Sequence, residues 1–431
     1  MLSWMERIFG LQANGTTVKR EMTAGMIGFF TVVYIIAVNS LILSEAGMPL
    51  EAAIVATIAA SVFGCLLMGF WGNVPILLVP GMGINALFSY TMVQSMGLSW
   101  QEALAVVFVS GVIFIAVAFT RFAKILSAAV PHSLKEAITV GLGLFLMLIG
   151  LEKGGIVERG TSSILALGSL GEAPVLATVI TFLIAIVLFV RNVPGNFLIT
   201  IVVGTLIASL FGLIDFNQPN ESLAMGDAFA VFGALSFGNM ASLVFWAAVF
   251  SLTMVLVFEN IGLVHGQVNF IGRPDRFSRA FQATSISTMT SGVFGTSPTV
   301  ATVESTAGMV AGGRTGLTAI TTGILFLAAA FFIPVIKLIP DSAIAPILII
   351  IGGLMLQNIK NLDLNDLTES FPALLIIALI PFTYSIADGI AVGFILYPVL
   401  KIATGKWRDV SMTLYIISAL FLLNFVFHVI G

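Results

Sequence analysis

Long stretches of apolar residues, each bounded by Gly, Pro or charge, follow one another along this chain from Met22 to Ile430. A helix needs roughly 20 such residues to cross a hydrocarbon layer of about 30 Å, so the pattern predicts membrane spans. A first set falls near 22–44, 51–70, 74–96, 101–120, 134–150, 173–190 and 196–214. A second falls near 241–263, 277–294, 297–311, 316–337, 343–359, 370–386 and 387–404, after an acidic connection holding Asp215, Glu221 and Asp227. The expected fold class is therefore an all-α polytopic membrane protein of fourteen spans, seven in each half. A further apolar helix near 409–430 either crosses the membrane or lies on its surface.

Composition supports this reading, because 58% of the residues are hydrophobic and 9% charged, against about 25% charged in soluble domains. A single soluble core is excluded. Residues 1–21 include Trp4, Arg7, Lys19 and Arg20 but no short apolar leader, and are expected to form a cytoplasmic tail. Placing that tail inside puts every Lys and Arg on the cytoplasmic face, Arg121 and Lys124 included, except Lys153, Arg159 and Lys337. The positive-inside rule requires such a split, so the expected location is the cell (inner) membrane with the N-terminus cytoplasmic. One cysteine, Cys65, and three histidines, His132, His265 and His428, leave no disulfide framework and no metal cluster to expect.

The halves resemble each other. Gly111-Val-Ile-Phe-Ile-Ala-Val-Ala-Phe119 in span four matches Gly323-Ile-Leu-Phe-Leu-Ala-Ala-Ala-Phe331 in span eleven at a shift of 212. Val130-Pro-His-Ser133 matches Ile339-Pro-Asp-Ser342 at a shift of 209, with Gly143 falling on Gly352. Seven spans per half bring the second half into the membrane from the opposite side, which makes this an inverted repeat, 22–225 and 226–404, followed by a C-terminal helix, 405–431.

Transporters of that design bind their solute at paired broken helices near the midplane. The shift of 212 sets Val79 to Asn85 opposite Ser291 to Ser297, pairing Gly83 with Gly295 and Asn85 with Ser297. Glycine permits unwound backbone, Asn85 and Ser297 suit the N-cap, and Pro298 suits the first helical position, so each segment is expected to open a half-helix. Only Glu259 and Glu304 among the acidic residues fall well inside spans. A carboxylate at that depth costs about 3 kcal/mol, which makes both candidates for binding a solute and for carrying a proton. A buried neutral carboxyl kept for packing is the alternative for each. No Lys or Arg falls in the middle of a span, so a neutral heterocycle whose N–H groups meet the two carboxylates fits better than an anion. Phe29, Phe30, Tyr34, Phe88 and Phe258 are candidates to stack on such a ring, and His265 to join a proton path.

At these residues the chain resembles the bacterial guanine/hypoxanthine and adenine permeases, the AzgA-like branch of the nucleobase/cation symporters with the uracil-transporter fold. The resemblance rests on Phe29-Phe-Thr-Val-Val-Tyr-Ile-Ile-Ala-Val-Asn39, Pro80-Gly-Met-Gly-Ile-Asn-Ala86, Gly295-Thr-Ser-Pro298, Glu304-Ser305 and Gly312-Gly-Arg-Thr-Gly-Leu317. It implies a core domain (22–120 and 241–337), a gate domain (134–214 and 343–404), and short strands ahead of the half-helices of spans three and ten. It also implies a purine substrate held by Glu304 and Glu259 with Gly83, Asn85, Phe88, Thr296 and Ser297 around it, proton symport without a cofactor, and dimers in the bilayer. Sodium is the other candidate ion. One stretch differs: span eight reads Phe258-Glu-Asn-Ile-Gly262, closer to the uracil-transporter pattern than to the Asp-Thr pair of that branch. Uracil, xanthine or an inorganic anion are the alternative solutes. A hydrolase would need a nucleophile beside a base or a metal, and neither spacing is present; nothing points to nucleic acid.

Overall fold

Short polar signals set where the helices begin. Thr17 accepts the Arg20 N–H and starts α1 (Val18–Val32); two residues, Val33 and Tyr34, separate it from α2 (Ile35–Glu45). The computed structural model describes residues 2–120, 130–160, 163–214 and 228–430. Arg121, Lys124 and the acidic connection with Asp215, Glu221 and Asp227 lie outside the described residues. The chain continues through α3 (Leu50–Leu67), strand β1 (Leu78–Pro80), and the short α4 (Met82–Ala86) with a π-helical extension, Leu87–Ser95. Ser99 and Glu102 form a reciprocal capping box that opens α5 (Trp100–Phe119). Then follow α6 (His132–Lys153), α7 (Ala173–Val190) and α8 (Asn196–Leu210).

The second half runs α9 (Leu243–Phe270), α10 (Phe277–Phe294), β2 (Thr299–Ala301), α11 (Ser305–Val310) and α12 (Gly316–Ala329). It ends with α13 (Asp341–Leu356), α14 (Leu367–Thr383) and α15 (Ile386–Ala403), and α16 (Met412–Ile430) follows. Each predicted segment thus contains a helix. Among the described residues, nine helical stretches are long and apolar enough to cross a membrane, while α8 and α14 are apolar but shorter.

Two groups of helices pack within themselves. One joins α1, α2, α3, α5, α9, α10, α11 and α12; the other joins α6, α7, α8, α13, α14 and α15. The predicted repeat is visible in the contacts. Span four packs on span nine through Gly111 against the Met289 backbone, and span eleven packs on span two through Gly323 against Cys65. Gly143 and Gly352 meet face to face, and a Cβ on Gly143 would come 2.8 Å from the Gly352 carbonyl oxygen.

The breaks differ from the expected register. Val79 pairs with Val300 and Pro80 with Thr299 in an antiparallel β1–β2 ladder, whereas the shift of 212 brings Val79 to Ser291. Gly295 ends α10 in a left-handed conformation (φ 85°) and does not face Gly83 as a counterpart. Asn85 and Ser297 are not N-caps either: Gly81 precedes α4, Glu304 precedes α11, and Ser297-Pro298 leads into the strand. Glu304 therefore sits at the start of its helix rather than two turns in.

Backbone groups at membrane depth need partners inside the protein, and neighbouring side chains supply them here. Asn260 accepts the Ala301 N–H (3.1 Å), Gln267 donates to the Thr302 carbonyl (2.6 Å), Thr288 donates to the Thr299 carbonyl (2.8 Å), and Ser305 accepts the Leu77 N–H (3.0 Å). Glu21, fully buried, accepts from the Arg314 and Thr315 N–H groups (2.8 and 3.2 Å) and the Thr318 hydroxyl (2.6 Å). It caps the N-terminal end of α12, binding the Arg314-Thr315 backbone of the Gly312–Leu317 motif, while Asn73 accepts the Gly316 N–H (2.9 Å).

Candidate functional site

Between the two helix groups lies a cavity of about 1120 Å³. One wall is built from Pro80 to Gly83, Val300 to Glu304, and Phe258 with Glu259; the facing wall includes Lys135, Leu142, Phe197 and Met355. Its volume is slightly above the roughly 300–1,000 Å³ typical of small-molecule sites, enough to hold a small solute between the walls. The strand ladder brings the two carboxylates together, since Glu304 stands three residues after the end of β2 and Glu259 one residue before Asn260, which binds β2.

The carboxylates differ. Glu304 Oε1 accepts the Tyr34 hydroxyl at 2.7 Å, across the break between α1 and α2. Glu259 Oε2 is buried with no hydrogen-bond partner. A carboxylate already oriented by a donor and one that is not are suited to different tasks, the first to fixed recognition and the second to gaining and losing a proton.

Of the other residues expected at the solute, Gly83 lines the cavity. Asn85, Thr296 and Ser297 lie behind the wall, gathered by Asn39. Its amide donates to Thr57 (2.8 Å) and Thr296 (3.0 Å), and its carbonyl accepts from Asn85 (3.1 Å) and Ser297 (2.8 Å). Phe88 is fully buried away from the cavity. Among the aromatic candidates Phe258 reaches the cavity; Tyr34 acts through its hydroxyl, and Phe30 is exposed on the outer surface. His265 is exposed and pairs with Asn269 (3.1 Å).

Sequence reasoning missed two residues, and it gave Tyr34 a stacking role where its hydroxyl instead bonds Glu304. Asn39 sits inside the Phe29–Asn39 motif, and a polar Asn within an apolar run was the available signal. Lys135 was passed over because it stands at the end of a span. Its Nζ lies 5.6 Å from the Phe258 ring centroid, and it lines the same cavity as both carboxylates.

The cavity reaches His132, Glu136, Asn192 and Asn358 at one end. At the opposite end the groups are closed by Lys153, itself paired with Asp341, bonding Glu45, which also accepts from Tyr90 (2.7 Å), and by the Ile386 N–H donating to Thr91 (3.2 Å). Lys337 pairs with Glu51 at the same end. Access from one side and a seam on the other define one half of an alternating-access pair.

Residues 19–392 match the Permease family (Xan_ur_permease). The chain belongs to that family. Curated relatives include the nucleobase transporter PlAzg2 of Paenibacillus larvae, 50% identical over 88% of this chain and 76% of that protein. The guanine/hypoxanthine permease PbuO of Bacillus subtilis is 38% identical (97% and 99% covered), and the adenine permease AdeP of Escherichia coli 36% (98% and 96%). Solved structures share the fold at low identity. The transmembrane domain of the cyanobacterial bicarbonate transporter BicA gives a TM-score of 0.65 at 16% identity, covering 87% of this chain and 97% of that one. The murine anion transporter Slc26a9 in its inward-facing state gives 0.68 at 13%, covering 94% and 72%. The permease is thus a multi-pass membrane protein and a transporter rather than an enzyme.

Proposed function

We propose that this permease imports purine nucleobases, hypoxanthine or guanine and with adenine as a further candidate, by proton symport across the cell membrane with its N-terminus cytoplasmic. The observation that carries the reading is a pair of carboxylates, Glu304 and Glu259, on one wall of a single cavity beside the paired breaks. Purine N–H groups are donors that such acceptors recognise, and an unmet buried acceptor rejects solutes lacking them. The relatives named for nucleobase, guanine/hypoxanthine and adenine transport support the substrate class.

In this reading Glu304, held by Tyr34, binds the base; Glu259 takes the proton, which relieves the cost of an unpartnered carboxylate in a dry wall. Gly83 lets the ring approach the backbone. The first helix group acts as core and the second as gate, and the core moves against the gate once loaded. The open end, which holds Lys135 and His132, is the cytoplasmic one. Sodium remains the competing ion, and a homodimer is the assembly expected in the bilayer.

The test is uptake of labelled hypoxanthine, guanine, adenine, xanthine and uracil in purine-uptake-deficient cells, with and without a protonophore, for wild type and Glu304→Gln. Accumulation that collapses with the protonophore and with the substitution is the expected result. Uptake that follows a sodium gradient instead would replace the ion; no uptake of any base, with protein in the membrane, would overturn the substrate.

A further inference from the structure

The facing walls of the cavity carry opposite chemistry. Glu259 and Glu304 come from the first helix group, and Lys135 comes from α6 of the second; among the described residues lining the cavity it is the one Lys or Arg. Its neighbour Glu136, which also meets His132 (3.4 Å) and Asn361 (3.4 Å) at the mouth, adds a negative charge beside it. Lys135 Nζ lies 5.6 Å from the ring centroid of Phe258, the residue before Glu259, which places its ammonium at the cavity wall near the carboxylates. Its flexible four-carbon stem carries three donors and no acceptor.

We infer that Lys135 selects 6-oxopurines over 6-aminopurines, a step that rests on the proposed nucleobase function. A ring seated between the walls presents N–H groups to the carboxylates and another edge to Lys135. In guanine and hypoxanthine the 6-position is a carbonyl acceptor beside N7; in adenine it is an amino donor. An ammonium bonds the first and meets the second donor to donor. Loss of a hydrogen bond to a charged group changes affinity roughly tenfold or more.

The experiment measures inhibition of uptake by unlabelled hypoxanthine, guanine and adenine for wild type, Lys135→Met and Lys135→Arg. Melting shifts of the purified protein with each base cover any variant that binds without transporting. Wild type should favour the oxopurines. Lys135→Met should weaken hypoxanthine and guanine about tenfold while adenine changes by less than about twofold, and Lys135→Arg should keep the preference. A wild type that favours adenine, or a Lys135→Met variant that weakens all three equally or none, overturns the inference. A wild type that neither binds nor moves any base removes the underlying function instead.

Discussion

Asn39 is the node that holds both breaks from behind, and replacing it is the sharpest probe of the architecture. Asn39→Ala removes four hydrogen bonds at once, to Thr57, Thr296, Asn85 and Ser297, in a site with no solvent access. Side-chain hydrogen bonds in membrane proteins average about 0.6 kcal/mol, so four together predict a loss of about 2–3 kcal/mol. Ser297→Ala removes one of them and should cost about 0.6 kcal/mol. Thermal melting of the detergent-solubilised protein, followed by loss of the monodisperse chromatographic peak, ranks the variants. Asn39→Ala should melt well below Ser297→Ala, and the double variant should add little to Asn39→Ala, because their shared bond is already gone. Equal melting of the two single variants, or full additivity in the double, would refute the view that Asn39 ties spans one, two, three and ten together.

Tyr34→Phe deletes the hydroxyl that orients Glu304 and should raise the half-saturating base concentration roughly tenfold, with protein level and melting unchanged; an unchanged or lower value would mean that the hydroxyl competes with the base for the carboxylate. Lys153→Met opens the closed seam by removing its pair with Glu45, a change of about 1 kcal/mol, or roughly fivefold in population. Alkylation of a Thr139→Cys probe in the cavity reads it, since the native Cys65 is buried. Labelling from the cytoplasmic side should fall, and constant labelling would show that the seam bears no load.

What the sequence disclosed depended on whether a signal was local. Every span left a continuous apolar run, and Glu259 and Glu304 stood out because charge is scarce inside such runs. The Gly143–Gly352 match was legible since small residues at a helix contact repeat with the symmetry. The strand register was not. Ladder partners such as Val79 and Val300 are chosen by backbone hydrogen bonds between distant segments, and side-chain similarity at a fixed shift does not record them. The same shift made Asn85 and Ser297 look like caps, yet their side chains are spent on Asn39. Lys135 escaped because its depth is set by how α6 meets the cavity and not by its place in the run.

The Glu21 cap has a consequence for how the chain is made. Its backbone donors at Arg314 and Thr315 lie 293 and 294 residues downstream. At a synthesis rate of about 5–20 residues per second they emerge roughly 15–60 s after Glu21 itself. During that interval the first span has entered the bilayer with a carboxylate that has none of its final donors. At the cytoplasmic start of the helix, water stands in for those donors until span eleven arrives. In a Cys65→Ala background, ribosome-stalled chains ending before residue 314 should leave a Glu21→Cys thiol open to alkylation from the cytoplasmic side, and chains long enough for span eleven to have left the ribosome should protect it.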